Sequence, residues 1–509
     1  MEFDVVVVGA GSSGAVLASR LSEDSTRSVL LLEAGPDYPT VEDLPSDVSN
    51  AWEFSAFRHD WGFTADAVRG REIALARGKV VGGSSSINTG IAIRGAPADY
   101  DGWADQGNPA WSWERCLPYF RSIESDRDIG GEFHGTDGPV PVVRWREDEI
   151  HPVQRAFRSV CTSRGFPAIE DQNDPEGTGV STIAMNRRGR VRWSTNLAYL
   201  ATARDRPNLT IRSECVVDRV VFEGRRAAGV VMSSAGATET VRGREIVISA
   251  GAIQSPAILV RSGIGPAEEL ARHGIAPIHT LEGVGKHLMD HPLAPVICVA
   301  KPGAADANDP LVQVLLRYTS DGGEFNDMQM YLLGHLDVSS DPTYPSASVG
   351  RTTFGLGPGV QLSKSIGTVQ LMSRDPRDRP RITLNFVEHE DDLRRLREGV
   401  RLAWDLATSE PVQQYHTGIH HLDAATVADD ERLNDYIRQV ATNMDHPVCT
   451  CRMGPSDDPG AVVDEQGRVH GLVGLRVVDG SIMPTIIRAN TNLTCIVIGE
   501  RVAEWMRDT

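Results

Sequence analysis

The first 33 residues constrain this chain most. Asp4 to Val8 is a short β-branched run of the kind that forms a buried parallel strand. Gly9-Ala10-Gly11-Ser12-Ser13-Gly14 follows. Ala15 to Leu21 then carries apolar residues at helical spacing, and a second apolar run from Val29 to Leu32 ends at Glu33. Strand, glycine turn, helix, strand and acid, in that order, predict a dinucleotide-binding unit. Gly9 permits the tight turn, Gly11 lets backbone approach a pyrophosphate, and Gly14 lets helix and strand pack closely. The helix N-terminus turns its free N–H groups to the phosphates. Glu33, 19 residues after Gly14, is spaced to take ribose hydroxyls. The unit does not by itself separate FAD from NAD. The acid after the second strand disfavours a 2′-phosphate, and so NADP.

Composition narrows the partners. At 509 residues the chain exceeds what one hydrophobic core usually serves, so two domains are expected. A net charge of −18 argues against nucleic acid and against an anionic membrane surface. No apolar run approaches the roughly 20 residues that span a bilayer. No basic leader or cleavage site precedes the first strand, so a cytoplasmic protein is expected. The seven cysteines are scattered, which suits reduced thiols. Cys449-Thr450-Cys451 is the only close pair, and its spacing is not that of a metal site, so no metal is expected.

A second glycine-rich stretch runs from Arg77 through Gly82-Gly83-Ser84-Ser85-Ser86-Ile87-Asn88 to Gly95. It supplies many backbone N–H groups, suited to a phosphate or a polar cofactor edge. Composition alone favours a surface loop; an NAD enzyme needs no such second stretch. Other motifs follow in order. Trp103, Gly107-Asn108, Trp111-Ser112-Trp113 and Pro118-Tyr119-Phe120 form one block, and His134-Gly135 with Gly138-Pro139 another. Ser249 to Pro256 is followed by Gly263 to Pro266, Val284-Gly285, Leu288 to His291 and Ser373 to Pro376. The C-terminal part carries Asp445-His446-Pro447, Asp479-Gly480-Ser481 and Arg488-Ala489-Asn490-Thr491-Asn492.

Together these motifs resemble the glucose–methanol–choline oxidoreductases, a family of FAD enzymes, from about residue 3 to 505, most weakly at about 300 to 365. The resemblance implies an α/β (α+β) fold: a Rossmann-like FAD-binding domain with a parallel sheet, and a substrate domain on an antiparallel sheet. It places FAD-binding segments at 1–150, 201–291 and 441–509, with substrate-domain segments at 151–200 and 292–440. It implies cofactor contacts from Gly9, Gly11, Ser13, Gly14, Glu33 and Ala34. The second stretch adds Gly78, Gly82, Gly83, Ser84, Asn88, Gly90 and Ile91. Val217, Ala250, Asp479, Gly480 and Asn492 complete the set. Some members tether FAD through a histidine. Ile87 stands at the matching position and offers no nucleophile, so non-covalent FAD is expected.

Oxidising an alcohol removes a proton from oxygen and a hydride from carbon, and the hydride goes to flavin N5. A histidine suits the proton because it titrates near neutral pH. The resemblance selects His446, and counting back from Gly499-Glu500-Arg501 selects Asn490 as its partner. Asn492 remains the alternative; either asparagine could instead cap a helix. His287 and His291 read as structural. Trp61, Phe63 and Tyr331 are candidates for the substrate wall, drawn from about 55–65 and 300–370. Few aromatics argue weakly against a cage for choline. Glu388 to Glu398 reads as surface. The expected substrate is an alcohol, polyol or sugar giving an aldehyde or ketone, with oxygen, a quinone or a carrier as electron acceptor. Some relatives split cyanohydrins on this scaffold, so a flavin-containing lyase stands as the alternative, and Cys449 is a minor candidate for a redox or tethering role.

Overall fold

The structure is a computed structural model that describes residues 2–53, 58–338 and 352–508. Its first sheet is organised around Glu2–Val8, whose last four residues are all buried. This strand lies between Val29–Leu32 and Ala237–Ile248, parallel to both, and Leu209–Arg212 extends the sheet beyond Val29–Leu32. Such runs can be apolar on both faces because helices cover the sheet. Ala237–Ile248 does double duty. Its first half pairs antiparallel with Arg226–Ser234, and its second half pairs parallel with Glu2–Val8 and, at its end, with Leu475–Val477.

The register aligns Val8 with both Leu32 and Ile248, and Ile248 with Val477. Four strands therefore end together, and the chain leaves them at Gly9, Glu33, Ser249 and Val478. In an open α/β sheet the crevice beyond these carboxyl ends is where ligands bind. Two helices pack beside it, Gly14–Leu21 and the C-terminal Asn492–Arg507. They touch through Gly499, where a Cβ would stand 2.8 Å from the Ser13 carbonyl oxygen. Gly14 is as crowded: a Cβ there would stand 1.9 Å from the carbonyl oxygen of Gly9, which itself holds φ +98°.

The second sheet is antiparallel. Its order is His416–Ile419, Val296–Ala300, Thr353–Val360, Met328–Leu336, Val314–Tyr318 and Gly179–Thr182. Pro292–Leu293 bridges Thr353–Val360 to Thr442–Asn443, which brings the segment before His446 onto this sheet's edge. Helix Glu390–Thr408 covers one face, burying Leu393, Leu396, Val400, Ala403 and Leu406. Here the surface reading of Glu388 to Glu398 is corrected. Asp392 and Arg395 are buried and paired at 2.8 Å, and Asp392 also accepts N–H bonds from Lys364 and Ser365. A mixed-charge run looks solvated in one dimension; the helix turns two of its charges inward, where each satisfies the other.

Gly14→Ala should therefore unfold the protein at a distinctly lower temperature. Gly102→Ala, inside helix Pro97–Asp105 with nothing within 4 Å of the added carbon, should hold stability or raise it by about 0.5–1 kcal/mol. Thermal unfolding of both variants beside the parent checks the contrast.

Candidate active site

The four strand ends open into a cavity of about 390 Å³ that runs from the glycine loop to the edge of the antiparallel sheet. Of the residues expected in the first loop, Gly9, Gly11, Ser13, Glu33 and Ala34 line it. From the second stretch Gly78, Gly83, Ser84, Asn88 and Ile91 do so, as do Val217, Ala250, Asp479, Gly480 and Asn492. Gly14, Gly82 and Gly90 are not in its wall. Gly14 packs against Gly9. A Cβ on Gly82 would stand 2.1 Å from Ser86 Oγ, and one on Gly90 3.2 Å from Asn186 Oδ1. Gly82 and Gly90 let the loop fold on itself.

Glu33 also holds its own loop. Its two oxygens accept backbone N–H bonds from Ala10 and Gly35, each at 2.9 Å, so it pins the glycine loop as well as facing the cavity. Burial pushes its carboxyl up to about 7, against the pull of those N–H groups. Asp479 ties the second signature to the C-terminal turn: it accepts from Gly251 N, Ser255 Oγ and Ser481 N at 2.6–2.8 Å.

His446 and Asn490 meet at the other end of the cavity, with Asn490 Nδ2 3.0 Å from His446 Nε2. Asn492 lies elsewhere. It opens the C-terminal helix, and its Oδ1 accepts from Ser12 Oγ at 2.7 Å.

A chain of hydrogen bonds assigns every proton at the His446–Asn490 contact. His291 Nε2 lies 2.9 Å from the carbonyl oxygen of Ile487, which can only accept, so Nε2 carries hydrogen. Burial lowers His291 to about 4, so the ring is neutral and its Nδ1 is an acceptor. His446 Nδ1, 2.9 Å away, must then donate to it. That leaves His446 Nε2 without hydrogen, an acceptor facing Asn490. From the opposite side, Gln329 Nε2 donates to Tyr331 Oη, and Tyr331 Oη donates to Asn490 Oδ1 at 3.0 Å. Asn490 therefore turns its NH₂ to His446. Burial first, then the neighbouring His291 and Arg77, holds His446 well below its ordinary value, so it is an uncharged base.

The backbone under these rings is equally constrained. Asp290 Oδ1 accepts the backbone N–H of both His291 and His446, at 2.7 and 2.9 Å. Asp445 holds φ +61°, a conformation costing about 1 kcal/mol or more in a side-chain-bearing residue. Its Oδ1 accepts from Ala76 N and Asn443 Nδ2, both at 2.9 Å, and its carbonyl accepts from Arg77. Burial pushes Asp290 to about 7 and Asp445 to about 6. His291 was read from sequence as structural. The structure adds that its ring is the partner of His446; its place directly after Asp290 in a motif was the only signal.

Trp61, Phe63 and Tyr331 all line the cavity. Cys449 and Cys451 are buried, and burial pushes both thiols up, which suits inert packing. Among the described residues one group has ligand-like closeness, Glu124, Asp126 and His134. It is already neutralised: Arg94 pairs with Glu124, Arg144 with Asp126, and burial notwithstanding, the surrounding carboxylates push His134 up to about 11.

Residues 3–293 and 363–499 match the two profiles described as GMC oxidoreductase. The chain belongs to the GMC oxidoreductase family. It is an FAD-dependent oxidoreductase of the class that acts on CH–OH groups. It is similar to the oxygen-dependent choline dehydrogenase of Ectopseudomonas mendocina, 38% identical over 540 residues, covering 100% of this chain and 94% of that protein. The corresponding protein of Pseudomonas putida is 37% identical, over 99% and 94% of the two chains. Among solved structures, pyridoxine 4-oxidase from Mesorbium loti superposes with a TM-score of 0.92 at 29% identity over the whole of both chains. A formate oxidase variant from Aspergillus oryzae, studied for its FAD modification, gives 0.91 at 26% over 100% and 98%. These GMC relatives are dehydrogenases and oxidases, which disfavours the lyase alternative.

The residues present fit the family's cofactor. A Cβ on Gly83 would stand 2.7 Å from the Gly11 Cα, so two glycine loops meet where only backbone can line the wall. Asn492 Nδ2 is buried beside them with no protein partner, a donor turned to a cavity that a cofactor would fill.

His446 should appear by ¹⁵N NMR as a neutral ring protonated at Nδ1 across about pH 6 to 8. A charged ring or the Nε2-protonated tautomer in that range would contradict the proton assignment.

Proposed function

We propose that the protein oxidises an alcohol to an aldehyde or ketone, with His446 as the base. The observation that carries this reading is His446 Nε2, unprotonated in the cavity wall, where its lone pair accepts from the NH₂ of Asn490. Bound non-covalently along Gly9–Gly14, with Glu33, Val217 and Asp479 around it, FAD supplies the acceptor for the hydride. The chain supplies the rest. An alcohol hydroxyl that takes the place of the Asn490 N–H at His446 Nε2 gives its proton there, and the displaced NH₂ of Asn490 is available to the oxygen as charge develops. An oxygen rich in electrons releases hydride from its carbon more readily. His446 becomes an imidazolium, whose Nδ1–H is already held by His291.

His291 is a positioning residue in this scheme. It accepts from Nδ1 and so keeps the lone pair on Nε2. Its own orientation rests on the Ile487 carbonyl. Tyr331 and Gln329 do the equivalent for Asn490.

The similarity to choline dehydrogenases supports an alcohol as the substrate class. Ile87 in the cavity wall carries no nucleophile, which supports an untethered cofactor. No helix among the described residues is long and apolar enough to cross a membrane. We take the chain to alternate between the two sheets with bounds near 150, 200, 291 and 440. Sheet membership supports this: Gly179–Thr182 joins the antiparallel sheet, Leu209–Ile248 the parallel one, and Leu475–Val477 the parallel one again.

The direct test is anaerobic mixing of the FAD-loaded protein with alcohols, polyols and sugars, followed by air. A bleached flavin band establishes oxidation of the alcohol. Fast recovery in air identifies oxygen as acceptor, and slow recovery a quinone or carrier. A flavin that no panel member bleaches sinks the reading.

His446→Ala should lower turnover by about 10²-fold or more with FAD retained. His291→Phe should keep FAD and the fold yet lower kcat by about tenfold or more, through loss of the correct tautomer rather than of substrate binding. KM should change little in that variant, and its ¹⁵N spectrum should show the Nδ1 proton no longer fixed. Glu33→Ala should lose FAD on dialysis; full retention would count against the loop assignment.

A further inference from the structure

The wall around His446 and Asn490 is apolar in a way that bears on the substrate. Leu293 follows His291 by two residues, and Met444 precedes His446 by two. Tyr331 and Leu333 lie on one face of strand Met328–Leu336, with Leu311 and Val312 beside them, and all six line the cavity. Strand Thr353–Val360 makes room for two of these side chains. A Cβ on Gly357 would stand 2.8 Å from Leu293 Cδ1, and one on Gly359 2.7 Å from Met444 Cε. The glycines let Leu293 and Met444 lie flat on the sheet, so the wall is a packed feature and not a chance exposure.

Among the described residues the same cavity has no carboxylate free to receive a cation. Its carboxylates are Glu33, Asp445 and Asp479. Glu33 and Asp479 are engaged by backbone N–H groups at the cofactor end. Asp445 accepts from Ala76 N and Asn443 Nδ2 and lies beside Arg77, which adds positive charge near the base. Trp61 lines the cavity, but Lys79 Nζ already sits 4.9 Å from its ring centre, and Phe63 is stacked on it at 5.8 Å. An ammonium ion brought here would leave water and gain no free carboxylate among the described residues, with only Phe63 and Tyr331 left as aromatic neighbours, too few for a cage.

We propose that this site takes neutral alcohols with an apolar carbon chain and discriminates against choline, the alcohol named in its curated relatives. The proposal rests on the alcohol-oxidation reading for its chemistry, but it concerns binding and can be tested without turnover. The wall contributes burial of apolar surface, so affinity follows chain length until the cavity is filled. A quaternary ammonium of the same shape loses that gain to desolvation.

The neutral isostere of choline, 3,3-dimethylbutan-1-ol, makes the comparison clean, because only the charged nitrogen is replaced by carbon. Titrating each into the FAD-loaded protein and following the flavin spectrum gives Kd, and anaerobic bleaching gives the rate of oxidation. The isostere should bind about tenfold or more tightly than choline, the cation finding no free carboxylate among the described residues of the wall. Straight-chain alcohols from butanol to octanol should tighten by about two- to fourfold per methylene. Choline binding as tightly as the isostere, or more tightly, would overturn the proposal, as would affinities indifferent to chain length. Tight binding of the isostere without bleaching would uphold the apolar wall while sinking alcohol oxidation. Bleaching by choline in preference to the isostere would do the reverse.

Discussion

The contact between His291 Nδ1 and His446 Nδ1 governs the site. Two imidazole nitrogens of one kind can face each other only if one has hydrogen and the other does not. The Ile487 carbonyl decides which, because it forces hydrogen onto the far nitrogen of His291. The consequence passes through two rings and emerges as a lone pair on His446 Nε2. Burial is part of the device: in water either ring could protonate, whereas here both are held neutral.

This arrangement requires several distant segments to meet. His291 comes from the end of the first signature-bearing half of the chain, His446 from a left-handed turn, and Ile487 and Asn490 from the approach to the last helix. Asp290 spans the first two by accepting both backbone N–H groups on one oxygen. Asp445 stitches the turn to Ala76 beside the second glycine stretch. The buried carboxylates thus act as staples: each removes backbone donors from solvent and fixes the angle at which a ring enters the cavity. The antiparallel sheet contributes Tyr331 and an apolar wall, so the proposed base, its partner and the proposed substrate surface come from two sheets that meet at one edge.

Much of this was legible along the chain. Residues 3–33 spelled out strand, turn, helix and strand because a phosphate-binding loop needs glycine at fixed places, and glycine is visible in sequence. The two-sheet architecture and the family were likewise readable from ordered motifs. Other features were not. That Gly82 and Gly90 lie close against Ser86 and Asn186 is a contact the chain does not display in one dimension. Asp392 and Arg395 sit in a charged run, yet the helix buries them as a pair.

What the sequence determined by itself was the local chemistry: where the backbone can turn, which stretch can approach a dinucleotide, and which histidine stands in a catalytic motif. Which nitrogen of that histidine carries no hydrogen was decided only by tertiary structure, since it depends on a carbonyl 41 residues away and a ring 155 residues away. The same holds for the substrate wall. Leu293 and Met444 are ordinary apolar residues until the sheet lays them over Gly357 and Gly359, in the cavity that His446 lines. Proton position and pocket polarity are properties of neighbours in space, and a chain read in one dimension does not contain them.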